Sequence, residues 1–556
     1  MGSYIYDGGY KSYGHFLYTL VLPIILMSFS ISFIALFFFN IQWYISFSIP
    51  LLGLFVILLV PIIKREKRKV DIQEKIHLFI TYAGTLSTLQ INRTLLFQKI
   101  ADEKEYGELS DIAVRIIYLA KQWNLGYAKT CRKIAYFNPS RIFRDFLDRL
   151  AAVMDFGEDL EIFLVEEQDA VMDDFENEYR QSIQNIRMLE SVFISMTISI
   201  AFAMAAALLL PLLVGVNIMV IVQYCLLGLV FMDIMLVILI KAFIPSDKIC
   251  HDLEIIDDGT GKILKSFLII APFSFLVTGI LVYLDLLPFL FNFAIGFTPL
   301  LVVGFLATQE ENIVFRRDKA FPSFIRALGG TASTKGGSVT SSIGALRVHD
   351  FGVLNDMVVN VYRRLKVGSE RFTSWLYFVG ETGSNLINYF AHIFIKSIYL
   401  GGDGIKISEI VSKNFSRLLG LRKLRLQLAS GLRGSLYGAL VGFITTVYMS
   451  VAITGLLSTM FVSAVDDAQD FEDMAGLIDA IVPDIPAFDM ETVNLYIALI
   501  VIFHSLVSSI IIKIVDGGTK YAAIFDFVIM IWIGACLSWG IPLLSEWAFG
   551  DLAITE

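Results

Sequence analysis

Shifting the numbering by 245 lays residues 324–405 over residues 79–160 without a gap. Phe79 and Ile80 meet Phe324 and Ile325, Gly84 meets Gly329, Gly107 and Asp111 meet Gly352 and Asp356, and Gly157 meets Gly402. Leu109, Ile112, Ala113, Ile116 and Ala120 lie over Leu354, Met357, Val358, Val361 and Leu365. Steps of three and four residues put each set on one helix face. A fixed offset that keeps both the glycines and the stripe is hard to obtain by chance. It predicts two copies of one helical domain.

Long apolar runs flank both copies. Hydrophobic residues make up 56% of the chain, enough for repeated spans of about 20 residues, the length a bilayer core requires. Nine runs qualify: 16–39, 43–63, 192–214, 217–240, 267–284, 289–306, 436–460, 493–512 and 522–544. The first is too long for a cleaved signal peptide. The expected fold class is an all-α polytopic membrane protein with about nine transmembrane helices and two repeated cytoplasmic helical bundles. Its segments are 1–63 (two spans), 64–190 (first insert), 191–307 (four spans), 308–434 (second, basic insert) and 435–556 (three spans). Residues 158–210 contain neither Gly nor Pro, so an acidic stretch around 165–178 should run as one rigid helix into the third span.

Charge sets the expected topology. The cluster 64–69, then Lys241, Lys262 and Lys265, and later Lys513 and Lys520, belong inside by the positive-inside rule. No Lys or Arg occurs between Arg433 and Lys513, whereas the loop 462–492 is rich in Asp and Glu. That loop and the C-terminus are expected outside, with the N-terminus and both inserts in the cytoplasm.

Few motifs ask for chemistry. Cys131, Cys225, Cys250 and Cys536 are scattered, as are the six histidines, so no metal centre is expected. The stretch 330–337 resembles a phosphate loop, but no Gly directly precedes Lys335 and no strand pattern leads into it; residues 258–262 do not match the loop either. No cofactor, nucleic acid or enzymatic activity is expected. Asp233 and His504 fall inside the fourth and eighth spans, where ionisable groups are rare, and each reads as standing alone in an interhelical hydrogen bond. Gly434, Gly438 and Gly442 give the seventh span a face of small residues, suited to close helix approach within the chain or across a dimer axis. The second insert is basic: Arg316, Arg317 and Lys319, then Arg363, Arg364 and Lys366, then Arg422, Lys423 and Arg425. The outer two groups border the membrane and fit topology or lipid headgroups. The middle group does not, and its twin positions hold Tyr118, Leu119 and Lys121.

Membrane hairpins around two repeated helical inserts resemble the platform proteins of the F/PilC/TadC family, which anchor type II secretion systems and type IV pili. Nine spans, the acidic outer loop and the basic second insert are most similar to the family's archaeal motor-platform branch. The resemblance covers nearly the whole chain and implies the membrane-embedded base of an archaellum. A hexameric ATPase would dock on the cytoplasmic side, through the nine basic residues named above, and drive filament-subunit extrusion and rotation. Accessory ring proteins, filament subunits, the lipid bilayer and a second copy of the chain are the further partners implied. A platform for a non-rotating pilus or a secretion system is the alternative. A two-repeat secondary transporter is a more distant one, disfavoured by large inserts and few polar groups within the spans.

Overall fold

A computed structural model describes residues 43–89, 92–214, 218–245, 247–251, 253, 258–284, 287–334, 339–469 and 490–549, with a few positions between 14 and 29. The described chain is helical, with no strand and one isolated antiparallel bridge between Cys250 and Ser384. Among the described residues, six helices are long and apolar enough to cross a membrane, and a bent pair brings the number to seven. These seven are the third to ninth expected spans. The first expected span lies mostly outside the described residues, as does most of the acidic loop, and the backbone of the second runs within a helix.

The first insert begins on α1 (Trp43–Ser87) and continues through α2 (Arg93–Ala101), α3 (Glu108–Gln122), α4 (Tyr127–Tyr136) and α5 (Arg141–Phe156). It leaves on α6 (Leu160–Val214), one helix of 55 residues, about 80 Å at 1.5 Å per residue. The absence of Gly and Pro thus has the expected result. The hairpin continues as α7 (Ile218–Phe243), followed by α8 (Asp258–Leu284).

The sixth expected span is broken. Helix α9 (Phe289–Phe297) meets α10 (Leu300–Thr334) at a 49° bend. Pro299 sits at that break, where a residue without an amide hydrogen interrupts the ladder of the preceding helix and opens the next. Apolar periodicity across the junction carries no trace of the bend.

The second insert repeats the first: α11 (Val339–Leu346), α12 (Asn355–Lys366), α13 (Arg371–Thr382) and α14 (Asn385–Tyr399) follow α10, and α15 (Gly404–Gln469) leaves it. Within the inserts, each helix boundary falls within about two residues of its twin shifted by 245. Gly107 and Gly352, at matched positions ahead of α3 and α12, have φ of +55° and +60°, a region that strains any residue with a Cβ. One pair slips. Gly157 is left-handed at the end of α5, but in the second copy that conformation falls on Gly401, one residue before the expected twin Gly402. The remaining helices are α16 (Met490–Asp516) and α17 (Ala523–Phe549).

The chain divides into two compact units. The first gathers Met1–Glu178, Phe321–Trp375 and Tyr389–Arg417, and so takes the greater part of both inserts. Its aromatic core is built twice: Phe79 lies edge-on to Phe143 and Phe146, each 5.5 Å away, while Phe324 contacts Phe351 at 5.3 Å and Trp375 at 6.4 Å. Between the copies the Ser397 hydroxyl donates to Thr85 Oγ1 and the Asn414 amide to Thr81 Oγ1, both at 2.8 Å and both buried.

The exit helices add a row of charges. Lys406 meets Glu161 at 3.0 Å, Lys413 meets Asp169 at 2.8 Å, and Arg417 bonds Glu176 at 2.5 Å and Asp173. The acidic stretch of α6 therefore pairs with the basic start of α15. Glu161 and Lys406 occupy the same position of the repeat.

The second unit holds Tyr179–Ala320, Leu376–Asn388 and Leu418–Glu556, with α7 lying along α16 and α9 against α17.

Candidate functional site

Two of the basic groups are divided by burial. Arg422 and Arg425 face one way on α15, and each is only 5% exposed. Arg422 forms a two-pronged pair with Asp247, at 2.8 and 2.6 Å, and reaches Asp318 Oδ2 at 2.9 Å and the Lys248 carbonyl at 2.9 Å. Asp318 also accepts from the Ser384 hydroxyl.

Arg425 touches backbone carbonyls: Val515 at 2.6 Å, Ile514 at 2.9 Å, Pro245 at 3.0 Å and Asp247 at 3.3 Å. Those carbonyls belong to the C-terminal ends of α7 and α16 or to the residues just beyond them. Helix carbonyls without an intrahelical partner concentrate negative partial charge there, so one guanidinium caps two spans. Around it Ile249 N–H donates to Gly517 at 3.4 Å, His251 N–H to Gly383 at 3.2 Å and Asn385 N–H to Ile249 at 3.0 Å. Lys513 bonds Glu311 and Asp516, each at 2.7 Å. Burial pushes the Cys250 thiol up to about 12, so this cysteine in the junction is an inert neutral thiol at neutral pH.

Arg317 is also turned inward, bonding the Thr382 carbonyl at 3.0 Å with Glu310 at 3.6 Å. The expectation that Arg317, Arg422 and Arg425 present a docking surface is therefore corrected. A guanidinium whose donors are taken by buried carboxylates and carbonyls is part of the framework. Arg316 and Lys423 are exposed, as is Lys319, whose ammonium lies 4.7 Å from the Phe315 ring.

The middle group remains at the surface. Met357, Val358, Val361 and Leu365 bury one face of α12, leaving Arg363 and Lys366 exposed and Arg364 half-buried in the last turn. Position in a last turn is itself favourable to cations. The twin helix differs: Tyr118 is exposed, and Trp123, Tyr136 and Phe137 are exposed near it in sequence. The two copies thus bury alike and present different chemistry.

Within the spans, Asp233 and His504 do not stand alone. His504 Nδ1 lies 3.1 Å from both oxygens of Asp233, and both side chains are fully buried. The sequence could not pair them, because 271 positions separate them. A Cβ added at Gly434, Gly438 or Gly442 would meet no described atom within 4 Å, so among the described residues no helix of this chain packs on that face. No group of three potential metal ligands forms among the described residues.

These features define a multi-pass, all-helical membrane protein with paired repeat inserts joined to its spans by continuous helices. Two relatives carry the same description, "Flagella accessory protein J". The protein of Methanocaldococcus jannaschii is 32% identical over 546 residues, 96% of either chain, and that of Methanococcus voltae is 30% identical over 541 residues, 95% of either chain. The chain belongs to the flagella accessory protein J family, FlaJ. No family model and no solved structure matches it.

Proposed function

We propose that this protein is the membrane-embedded platform of an archaellum, on which a hexameric cytoplasmic ATPase docks and drives filament-subunit extrusion and rotation. Similarity to flagella accessory proteins over nearly the full length, at 32% and 30% identity, carries the reading. The helices α1, α6, α10 and α15 support it mechanically, because each passes from an apolar run into an insert without a break. A force applied to the inserts then reaches the spans through hydrogen-bonded helix rather than through flexible linker.

The ATPase reads the exposed end of α12. Single exposed ion pairs contribute about 0–1 kcal/mol, so Arg363 alone matters little. Arg363→Glu, Arg364→Glu and Lys366→Glu together invert the local potential, and like charges then oppose encounter. The triple variant is expected to insert normally and to bind the purified ATPase at least tenfold more weakly in nanodiscs. Wild-type binding should weaken as salt is raised, and Lys121→Glu in the twin helix should change it less. Equal, salt-independent binding of wild type and triple variant would refute this docking face.

The topology that goes with this function is testable separately. Reporters after Lys69, Lys262, Arg364 and Lys520 are expected to report cytoplasm, and those at Asp473 and Glu556 the exterior. An exterior signal from Arg364 would remove the ATPase from reach of α12.

A further inference from the structure

Each exit helix is followed by a further long apolar helix. Helices α7 and α16 follow the two exit helices, have 26 and 27 residues, and both carry a lysine one turn from their C-termini, Lys241 and Lys513. Asp233 and His504 lie at almost the same level of these two helices, eight and nine residues before the lysines. This chain places an acid against a base.

Four spans surround the pair. The His504 ring lies 5.9 Å from Phe193 of α6, nearly parallel to it, and 6.3 Å from Phe443 of α15. Both rings belong to the helices that continue from the inserts. The ionisable groups nearest along the four helices are Glu190 on α6, Tyr437 and Tyr448 on α15, Cys225 and Lys241 on α7, and Tyr496 and Lys513 on α16. Tyr437 is already bonded to Asp526.

As a carboxylate, Asp233 accepts from Nδ1–H and so selects that imidazole tautomer. The other ring nitrogen, Nε2, is buried with no partner among the described residues, and so is the Ser508 hydroxyl one turn further on. Neutral imidazole offers a lone pair at Nε2, and imidazolium offers an N–H. A water at Nε2 would serve either state, since it both donates and accepts. We propose that Asp233 and His504 form a hydrated proton-binding latch between α7 and α16, with one proton gained or lost at His504 Nε2 through a water.

The test uses the full-length protein in nanodiscs, with its thermal midpoint followed over about pH 5 to 8. The wild-type profile is expected to differ from those of Asp233→Asn and His504→Gln by a step, and the exchange Asp233→His with His504→Asp should restore it. A pH-independent difference in both single variants would overturn the latch. Wild-type protein with isotopically labelled histidine gives a second readout that needs no substitution. Solid-state NMR should show one buried ring whose Nδ1 stays protonated while its Nε2 titrates and correlates with water. If every buried ring has a dry, pH-invariant Nε2, the proposal fails even where the variants do not fold.

Discussion

Arg422→Ala should destabilise the protein by about 3–5 kcal/mol, the usual consequence of leaving buried charges without their partner. The carboxylates stranded are Asp318, fully buried, and Asp247, partly buried, together with the Lys248 carbonyl. Removing the charges together is a different experiment. In Arg422→Met with Asp247→Asn and Asp318→Asn, no ion remains to be desolvated, and a large part of the lost stability should return. Thermal midpoints of the detergent-solubilised proteins, read beside their yields from the membrane, separate the two cases. A single variant as stable as wild type would mean that water reaches the junction and the pair contributes nothing. Arg422→Lys should recover little, because an ammonium cannot make the two-pronged contact with Asp247 while also reaching Asp318.

Arg417→Glu is the second substitution expected to have a large effect. Arg417 is mostly buried and reaches Asp169, Asp173 and Glu176 on the opposing exit helix. Reversal replaces these attractions with repulsion in a half-shielded setting, and a loss of about 1–3 kcal/mol is expected, the range for losing hydrogen bonds to charged groups. Lys406→Glu and Lys413→Glu, whose ion pairs are more exposed, should each cost at most about 1 kcal/mol. Combining Arg417→Glu with Asp173→Lys and Glu176→Lys should recover part of the loss, and the size of the coupling measures how far this row of charges pairs the two copies. If recovery is absent, pairing of the inserts rests on the apolar and hydroxyl contacts alone.

The repeat was legible because it is local information copied once. The same stripe of residues gives the same helix face in both copies, and a glycine needed at positive φ before α3 is needed again before α12. The long exit helix was legible from what residues 158–210 lack. Exposure of Arg363 and Lys366 also followed from periodicity, since both lie opposite the apolar stripe of α12. The bend at Pro299 was missed because two apolar helices in series look like one span when only hydropathy is counted.

Two arginines mark the boundary of what sequence alone determined. Arg422 and Arg425 stand among bases beside an apolar run, and every rule of composition assigns such a cluster to a solvated membrane border. Their burial was decided by Asp247, 175 positions away from Arg422, and by carbonyls of residues 514 and 515, about 90 positions from Arg425. His504 and Asp233 repeat the lesson inside the bilayer, where each residue reads as solitary until α7 and α16 lie side by side. The amino-acid sequence fixes which residues lie on one face of a helix, because that depends on spacing of three and four positions. What a face meets depends on how distant helices pack, so the charge that looked free for a partner became the cap of two spans, and the solitary acid and base became a pair.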